Sequence, residues 1–242
     1  MIKRLLATAV ILGCGCIGVF AQSVAITPKR TVYRRPKPIS EYKKTFVVRR
    51  PVAKASTPAL SKKITAAISP ESILGLNIKE ELGEYQWLEE ADYKVLFNRE
   101  GVLSISSWME GTAAYPDGVT KYAVVDLRTG RRLSPADVFS SLPKLAALLK
   151  KQQAAEVNTA IEEIRKDPES QETDPKELFA ETDLRAADIK DFSVDAKGVT
   201  FYYDYGFPHV IQAFEPSGEY NLSWKELRPF IKRGSLLERF VK

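Results

Sequence analysis

Apolar positions first recur with a clear period after residue 90. In ADYKVLFNREGVLSISSWMEG (residues 91–111), Tyr93, Val95 and Phe97 stand two apart, and Leu103 and Ile105 do so again beyond Asn98–Gly101. A period of two predicts a pair of strands, and the four intervening residues suit a hairpin turn. The third strand is predicted in GVTKYAVVDLRTGRRL (residues 118–133). It places Val119, Lys121, Ala123, Val125 and Leu127 on one face and Tyr122, Val124 and Asp126 on the other, with its turn at Thr129-Gly130. From Pro143 to Lys166 the spacing becomes helical: Leu145, Leu148, Leu149, Val157, Ile161 and Ile164 recur among strong helix formers. That stretch predicts a long amphipathic helix covering one sheet face.

Shorter elements are marked by their caps. Ser69-Pro70 and Ser134-Pro135 each offer an N-cap followed by proline at the first helical position, and Ser223 caps a helix expected to run to about Ile231. Further short helices are expected at about 175–180, at about 183–188 and in SLLERFV, with DPESQETDP as a surface loop. A late strand, VTFYYDYGF, alternates Val199, Phe201, Tyr203 and Tyr205 with Thr200, Tyr202 and Asp204. Strands precede and follow the long helix instead of alternating with helices, so the fold class is α+β, a mainly antiparallel sheet covered by one long amphipathic helix plus short helices.

The N-terminus reads differently. Met1-Ile2-Lys3-Arg4 is a short basic stretch, and Leu5 to Phe20 is an uninterrupted apolar run followed by Ala-Gln-Ser. This pattern is that of an export signal, residues 1–21, with Val19 and Ala21 at the small-residue positions of a cleavage site. Lipidation at Cys14, within Ile-Leu-Gly-Cys, and retention as an N-terminal anchor are the alternatives. The expected location is periplasmic or cell-surface. Both cysteines, Cys14 and Cys16, lie inside this segment, so the remainder has no disulfide to lean on.

Charge divides the chain again. Residues 28–54 hold ten Lys or Arg against Glu41 alone, a net of +9; Lys3 and Arg4 add two more, which leaves residues 55–242 at −6 within a whole-chain charge of +5. With five prolines and dense like charge, residues 22–58 read as a disordered linker ahead of a single domain at 59–242. Such a leash is either a solvated spacer or a contact for anionic envelope polymers or lipid headgroups. Nucleic acid is not an expected partner, because the basic residues lie apart from the aromatics and the domain itself is acidic.

The chemical inventory is narrow. His209 is the only histidine, no cysteine follows Cys16, and no metal or cofactor is expected. There is no G-x-S-x-G elbow, so the Phe-Pro-His-Val setting of His209 favours a structural imidazole over a ligand contact or a catalytic group. Asp204, Glu215, Glu110 and Asp117 lie near aromatic or turn segments and keep a two-carboxylate hydrolase open as an alternative. The aromatic supply is concentrated in residues 201–224, with Trp108 and Tyr115 elsewhere; one face of it belongs to a core, and the other can present a sugar- or protein-binding surface. The candidate ligand contacts are His209, Asp204, Tyr202, Tyr115, Trp108 and Glu110.

Two segments carry a resemblance: LSISSWMEGTAAYPDGVTKYAVVDLRTGRRLSPADVF, and GVTFYYDYGFPHVIQAFEPSGEYNLSWKELRPFI. With Asp126-Leu127, Thr129-Gly130, Asp137-Val138-Phe139 and the Ser223-Trp224-Lys225-Glu226-Leu227 helix start, they resemble the extracytoplasmic domain of unknown function shared by RsiV-type anti-sigma factors and PdaC-type peptidoglycan deacetylases. The likeness spans roughly residues 60–232 and implies an α+β fold. The Gly-Ala-His usual in the family's first loop is replaced by Gly111-Thr112-Ala113-Ala114-Tyr115-Pro116, only four residues precede the apolar run, and the paired histidines of a deacetylase domain are missing. The resemblance therefore implies the accessory domain alone. The expectation is a non-enzymatic exported envelope module that binds a cell-wall glycan or a protein such as a lysozyme-like hydrolase, with a cell-wall sugar hydrolase or a purely structural envelope protein as the alternatives.

Overall fold

The computed structural model describes residues 23–39, 42–112, 115–166, 174–207 and 209–242. The export signal with Cys14 and the side chain of His209 lie outside the described residues.

The first finding is a correction. Within residues 22–58, read as a disordered linker, β1 (Ala25–Arg34) and β2 (Thr45–Lys54) form an antiparallel hairpin, paired from Ala25↔Lys54 to Arg34↔Thr45. Phe46, Val48 and Ala53 of β2 are buried, so the strand supplies core that the density of charge had masked. The cations are also less self-repelling than their count suggests. Arg50 meets Glu71 at 2.6 Å, Arg49 pairs with Glu90 and, at 2.8 Å, with Asp92, and Lys43 pairs with Glu89. The acidic remainder of the chain thus neutralises part of the basic hairpin locally.

Arg35 goes furthest. It is only 2 % exposed, its Nε donates to Glu81 O at 3.1 Å, its Nη2 donates to Leu88 O at 2.7 Å, and its Nη1 donates to Lys43 O. Its guanidinium carbon lies 4.9 Å from the centre of the Phe46 ring.

Three short helices follow: α1 (Pro58–Ala67), α2 (Pro70–Ile73) and α3 (Ile78–Gly83), capped by Thr57, Ser69 and Asn77. The stretch after Ser69 is broken between α2 and α3, where Gly75 adopts φ +72°. Next come β3 (Leu88–Arg99) and β4 (Val102–Thr112). They join through Glu100 and Gly101, both at positive φ (55° and 74°), as a tight type I′ hairpin requires. With β5 (Pro116–Asp126) and β6 (Arg131–Arg132) they complete a six-stranded sheet in the order β1-β2-β3-β4-β5-β6. All its neighbours are antiparallel except β2 and β3, which pair in parallel at Val47↔Glu90 and Val48↔Ala91.

The alternation predicted for β4 and β5 holds, but in β3 a bulge between Val95 and Phe97 turns Phe97 to the face opposite Tyr93 and Val95, with which its spacing had grouped it. Leu103, Ile105, Ala123, Val125 and Leu127 pack against Ile64, Ile68 and Ile73 of the first helices. Val102 and Val124 point the other way, into a second core with Phe192, Val199, Phe201 and Leu222. That core belongs to a three-stranded sheet, β7 (Asp191–Val194), β8 (Gly198–Tyr202) and β9 (Glu219–Ser223), all antiparallel. The long helix is α5 (Leu142–Lys166), one residue longer than predicted at its start, and Leu145, Ala146 and Leu149 enter the same core. The two sheets are knit directly by the Ser104 hydroxyl, which accepts the Val194 N–H at 3.0 Å.

Around these lie α4 (Pro135–Val138), α6 (Pro175–Leu178), α7 (Trp224–Leu227) and 3-10 turns at Ala186–Asp188, His209–Phe214 and Leu236–Phe240. The α7 start carries the capping box of Ser223 and Glu226. The late strand ends at Tyr202, earlier than its alternation suggests. Beyond it Asp204 accepts the Gly206 N–H at 2.8 Å, a side-chain turn that bends the chain out of the sheet.

Candidate ligand-binding face

The residues of β4 alternate between two environments. Leu103 and Ile105 face the helices, so Ser104, Ser106, Trp108 and Glu110 share the opposite face. The small sheet covers the Ser104 end of that face, through the bond to Val194. Toward the Glu110 end the strand becomes progressively exposed: Ser106 is buried, Trp108 half-buried and Glu110 exposed.

Cross-strand register sets the neighbours of Trp108. It pairs with Asp92 of β3 and Thr120 of β5, while Glu110 pairs with Glu90 and Gly118 in the next row, and Ser106 with Lys94 and Tyr122 in the row before. Arg49 of β2 bonds both Asp92 and Glu90 and so fixes the carboxylates on one side of the indole. On the other side the Tyr122 ring stacks on Tyr202, with centroids 3.5 Å apart and planes within 6°. The Tyr202 hydroxyl is 2.9 Å from the Ser193 hydroxyl. Burial, the largest cause for each, pushes both phenols above their ordinary range, so both stay protonated hydrogen-bonding groups at neutral pH.

Beyond Trp108 the face opens into a depression of about 480 Å³, lined by Glu89, Glu110, Thr112, Asp117 and, from across the fold, Gln212. Gln212 belongs to the 3-10 turn that His209 begins. Tyr115 adjoins Pro116, on the rim of the same depression, and is 62 % exposed. The structure therefore groups Trp108 with Glu110, places Tyr115 at their edge, and brings Tyr202 to the flank through Tyr122. Asp204 belongs to another neighbourhood, the bend after β8.

That neighbourhood is a cleft of about 360 Å³ between α5 and residues 213–217, with Glu156, Glu163 and Glu215 on its walls. Glu156 and Glu215 are committed to structure. Glu156 accepts the Ser217 hydroxyl at 2.6 Å and the Gly218 N–H at 3.3 Å, and the Tyr205 hydroxyl lies 2.8 Å from that of Tyr220. Burial pushes the Tyr205 phenol up to about 12. Glu215 is raised above the usual carboxylate range, first by burial and then by Asp204, against hydrogen bonds from the backbone of Tyr205, Gly206 and Phe207. The stability it contributes is therefore fully present below the ordinary carboxylate pKa and is lost as pH rises through the raised value. Glu215→Gln, which keeps an acceptor and removes the charge, is expected to melt higher than the parent near neutral pH, with the two curves converging below about pH 4. Thermal melts across that range read the difference directly. The carboxylates named for a hydrolase are thus divided, Glu110 and Asp117 in one depression and Glu215 in the other.

Sequence reasoning missed Tyr122, Asp92, Arg49 and Gln212 as parts of the Trp108 face. Tyr122 was legible as a large aromatic on the same face as Val124. Arg49 was hidden by the reading of its segment as a linker.

No protein-family model matches the sequence, and no curated protein does either. Solved structures do match. The chain resembles DUF3298 proteins in fold. A DUF3298 family member from Bacteroides fragilis NCTC 9343 superposes with a TM-score of 0.58 at 14 % identity, over 91 % of this chain and 98 % of that one. A DUF3298 protein from Pseudomonas aeruginosa PAO1 gives 0.56 at 13 % identity, over 88 % and 96 %. The coverage extends the DUF3298-like fold across about nine tenths of the chain. At these identities the likeness concerns the fold and assigns no site.

Proposed function

We propose that this chain is a non-enzymatic binding module of the cell envelope, and that its ligand is a segment of cell-wall glycan held on the open sheet face around Trp108. The observation that carries the reading is the setting of Trp108: a half-buried indole with Asp92, held by Arg49 of β2, on the neighbouring strand at one side and Thr120 on the strand at the other. A sugar ring offers an apolar C–H face and an equatorial fringe of hydroxyls. An indole surface beside carboxylate and hydroxyl groups answers both. The envelope setting is supported by the apolar run at residues 5–20 and by the resemblance to the RsiV- and PdaC-type accessory domain.

Calorimetric titration of the full chain with soluble peptidoglycan fragments tests the proposal. Binding is expected, and Trp108→Ala is expected to weaken it at least about tenfold while leaving the melting temperature close to that of the parent. Fragments that do not bind, or that bind the variant equally well, would sink it. Fragment turnover that disappears in Glu110→Gln would replace it with the hydrolase reading, and capture of a lysozyme-like hydrolase lost in Trp108→Ala would keep the face and change the ligand class.

A further inference from the structure

Four large hydrophobic side chains are exposed among the described residues, and three of them gather about the β1–β2 connection: Val32 (50 %), Ile39 (44 %) and Tyr85 (57 %). Val32 lies near the end of β1 and Ile39 in the connecting loop. Tyr85 is joined to that loop by its neighbour Gln86. The buried Gln86 amide donates to Lys37 O at 3.0 Å and to Gly83 O at 2.8 Å, and accepts the Ile39 N–H at 3.0 Å. Arg34, Lys37 and Lys44 are exposed around them, with no ion-pair partner among the described residues; against these three cations stand Glu84, the exposed acid beside Tyr85, and Glu41 in the sequence of the connection itself.

Two side chains tie this connection to the body of the fold. Arg35 anchors its base to Glu81, Leu88 and Lys43, and Gln86, at the unusual φ of 51°, anchors its middle. Exposed apolar and aromatic side chains flanked by cations match the chemistry of a bilayer interface. There aliphatic and tyrosine groups enter the headgroup layer while Lys and Arg stay with the anionic heads. Other occupants fit less well. A second copy of the chain would appose like charges, and a soluble polyanion would satisfy the cations but leave Ile39 and Tyr85 in water. From this we infer that the patch of Val32, Ile39 and Tyr85, with Arg34, Lys37 and Lys44, docks on the headgroup region of an anionic bilayer. The inference stands apart from the glycan face and does not rest on it.

The test uses the full chain carrying Ile39→Trp, read against the parent to subtract the emission of its own three tryptophans. Vesicles of phosphatidylglycerol and phosphatidylcholine in equal parts are expected to shift the added emission to the blue, and brominated lipid should quench it. Pure phosphatidylcholine vesicles should do neither, even where the apolar run at residues 5–20 attaches the chain to them. Each of Arg34→Gln, Lys37→Gln and Lys44→Gln should weaken the response about fivefold, so the triple variant about a hundredfold, while Lys54→Gln at the far end of β2 should not. An added tryptophan that stays water-exposed on anionic vesicles overturns the inference. So does a triple variant that responds like the parent, or binding of soluble polyphosphate without quenching by brominated lipid.

Discussion

Arg35→Met is expected to destabilise the protein by about 3–5 kcal/mol, measured by urea denaturation at neutral pH. Methionine has the length and apolar character to fill the space over Phe46, so the loss is electrostatic and polar in origin. Three carbonyl groups, of Lys43, Glu81 and Leu88, lose their donor, and a buried acceptor left unpaired costs roughly 1–3 kcal/mol. The Glu81 carboxylate, 3.8 Å from the guanidinium, keeps its bond from the Leu88 N–H at 3.0 Å but loses its countercharge. Burial is the largest influence on both members of the pair, lowering Arg35 and raising Glu81. Their mutual attraction therefore does not fully offset desolvation, and the pair does more to fix geometry than to add net stability. A double variant, Arg35→Met with Glu81→Leu, is accordingly expected to lose less than the sum of the single losses. The same substitution releases the base of the β1–β2 loop, so Arg35→Met should also weaken the bilayer response at Ile39.

Arg35 also shows where sequence reading fails. In β4 and β5 one face is apolar at nearly every second position, so the opposite faces of Ala123 and Val124 were legible, whereas the bulge that turns Phe97 away from Val95 leaves no mark in the pattern. The long helix was legible because Leu145, Leu149 and Ile164 recur among residues that favour helix. In residues 25–54 the alternation is present, as Phe46 and Val48 attest, but it is overlaid by ten cations, four of which (Arg35, Lys43, Arg49 and Arg50) find partners in Glu71, Glu81, Glu89, Glu90 and Asp92, 20 to 50 residues on in the sequence. A composition count treats those charges as mutually repelling because it cannot see neutralisation at a distance. β7 and β9 were missed for a related reason: four- and five-residue strands owe their existence to β8 between them more than to their own pattern. The candidate face was half legible. Trp108, Glu110 and Tyr115 were named from local chemistry, whereas Tyr122, Asp92 and Arg49 join them only through cross-strand register and a parallel strand pair.

Gly218→Ala is expected to cost about 3 kcal/mol, and Gly206→Ala only about 1 kcal/mol, although both glycines stand at nearly the same left-handed φ, +63° and +68°. A side chain at such a φ carries a penalty of roughly 1–2 kcal/mol wherever it stands. At Gly206 nothing lies within 4 Å of the added methyl, so that penalty is the whole effect. At Gly218 the methyl would sit 2.0 Å from the Tyr203 carbonyl oxygen, and the backbone must move to admit it. That movement has consequences, because the Tyr203 N–H donates to Gly218 O at 2.8 Å and the Gly218 N–H to Glu156 at 3.3 Å. These bonds close the excursion from Tyr203 to Gly218, which carries Tyr205 to its place by α5 and Gln212 to the wall of the depression beside Glu110. Gly218→Ala should therefore weaken glycan binding as well as stability, while Gly206→Ala leaves binding unchanged. Equal losses of stability at the two positions would show that the close approach at Gly218 relaxes without cost. A full loss at Gly218 with unaltered binding would detach Gln212 from the ligand face and leave that face to Trp108 and its strand neighbours.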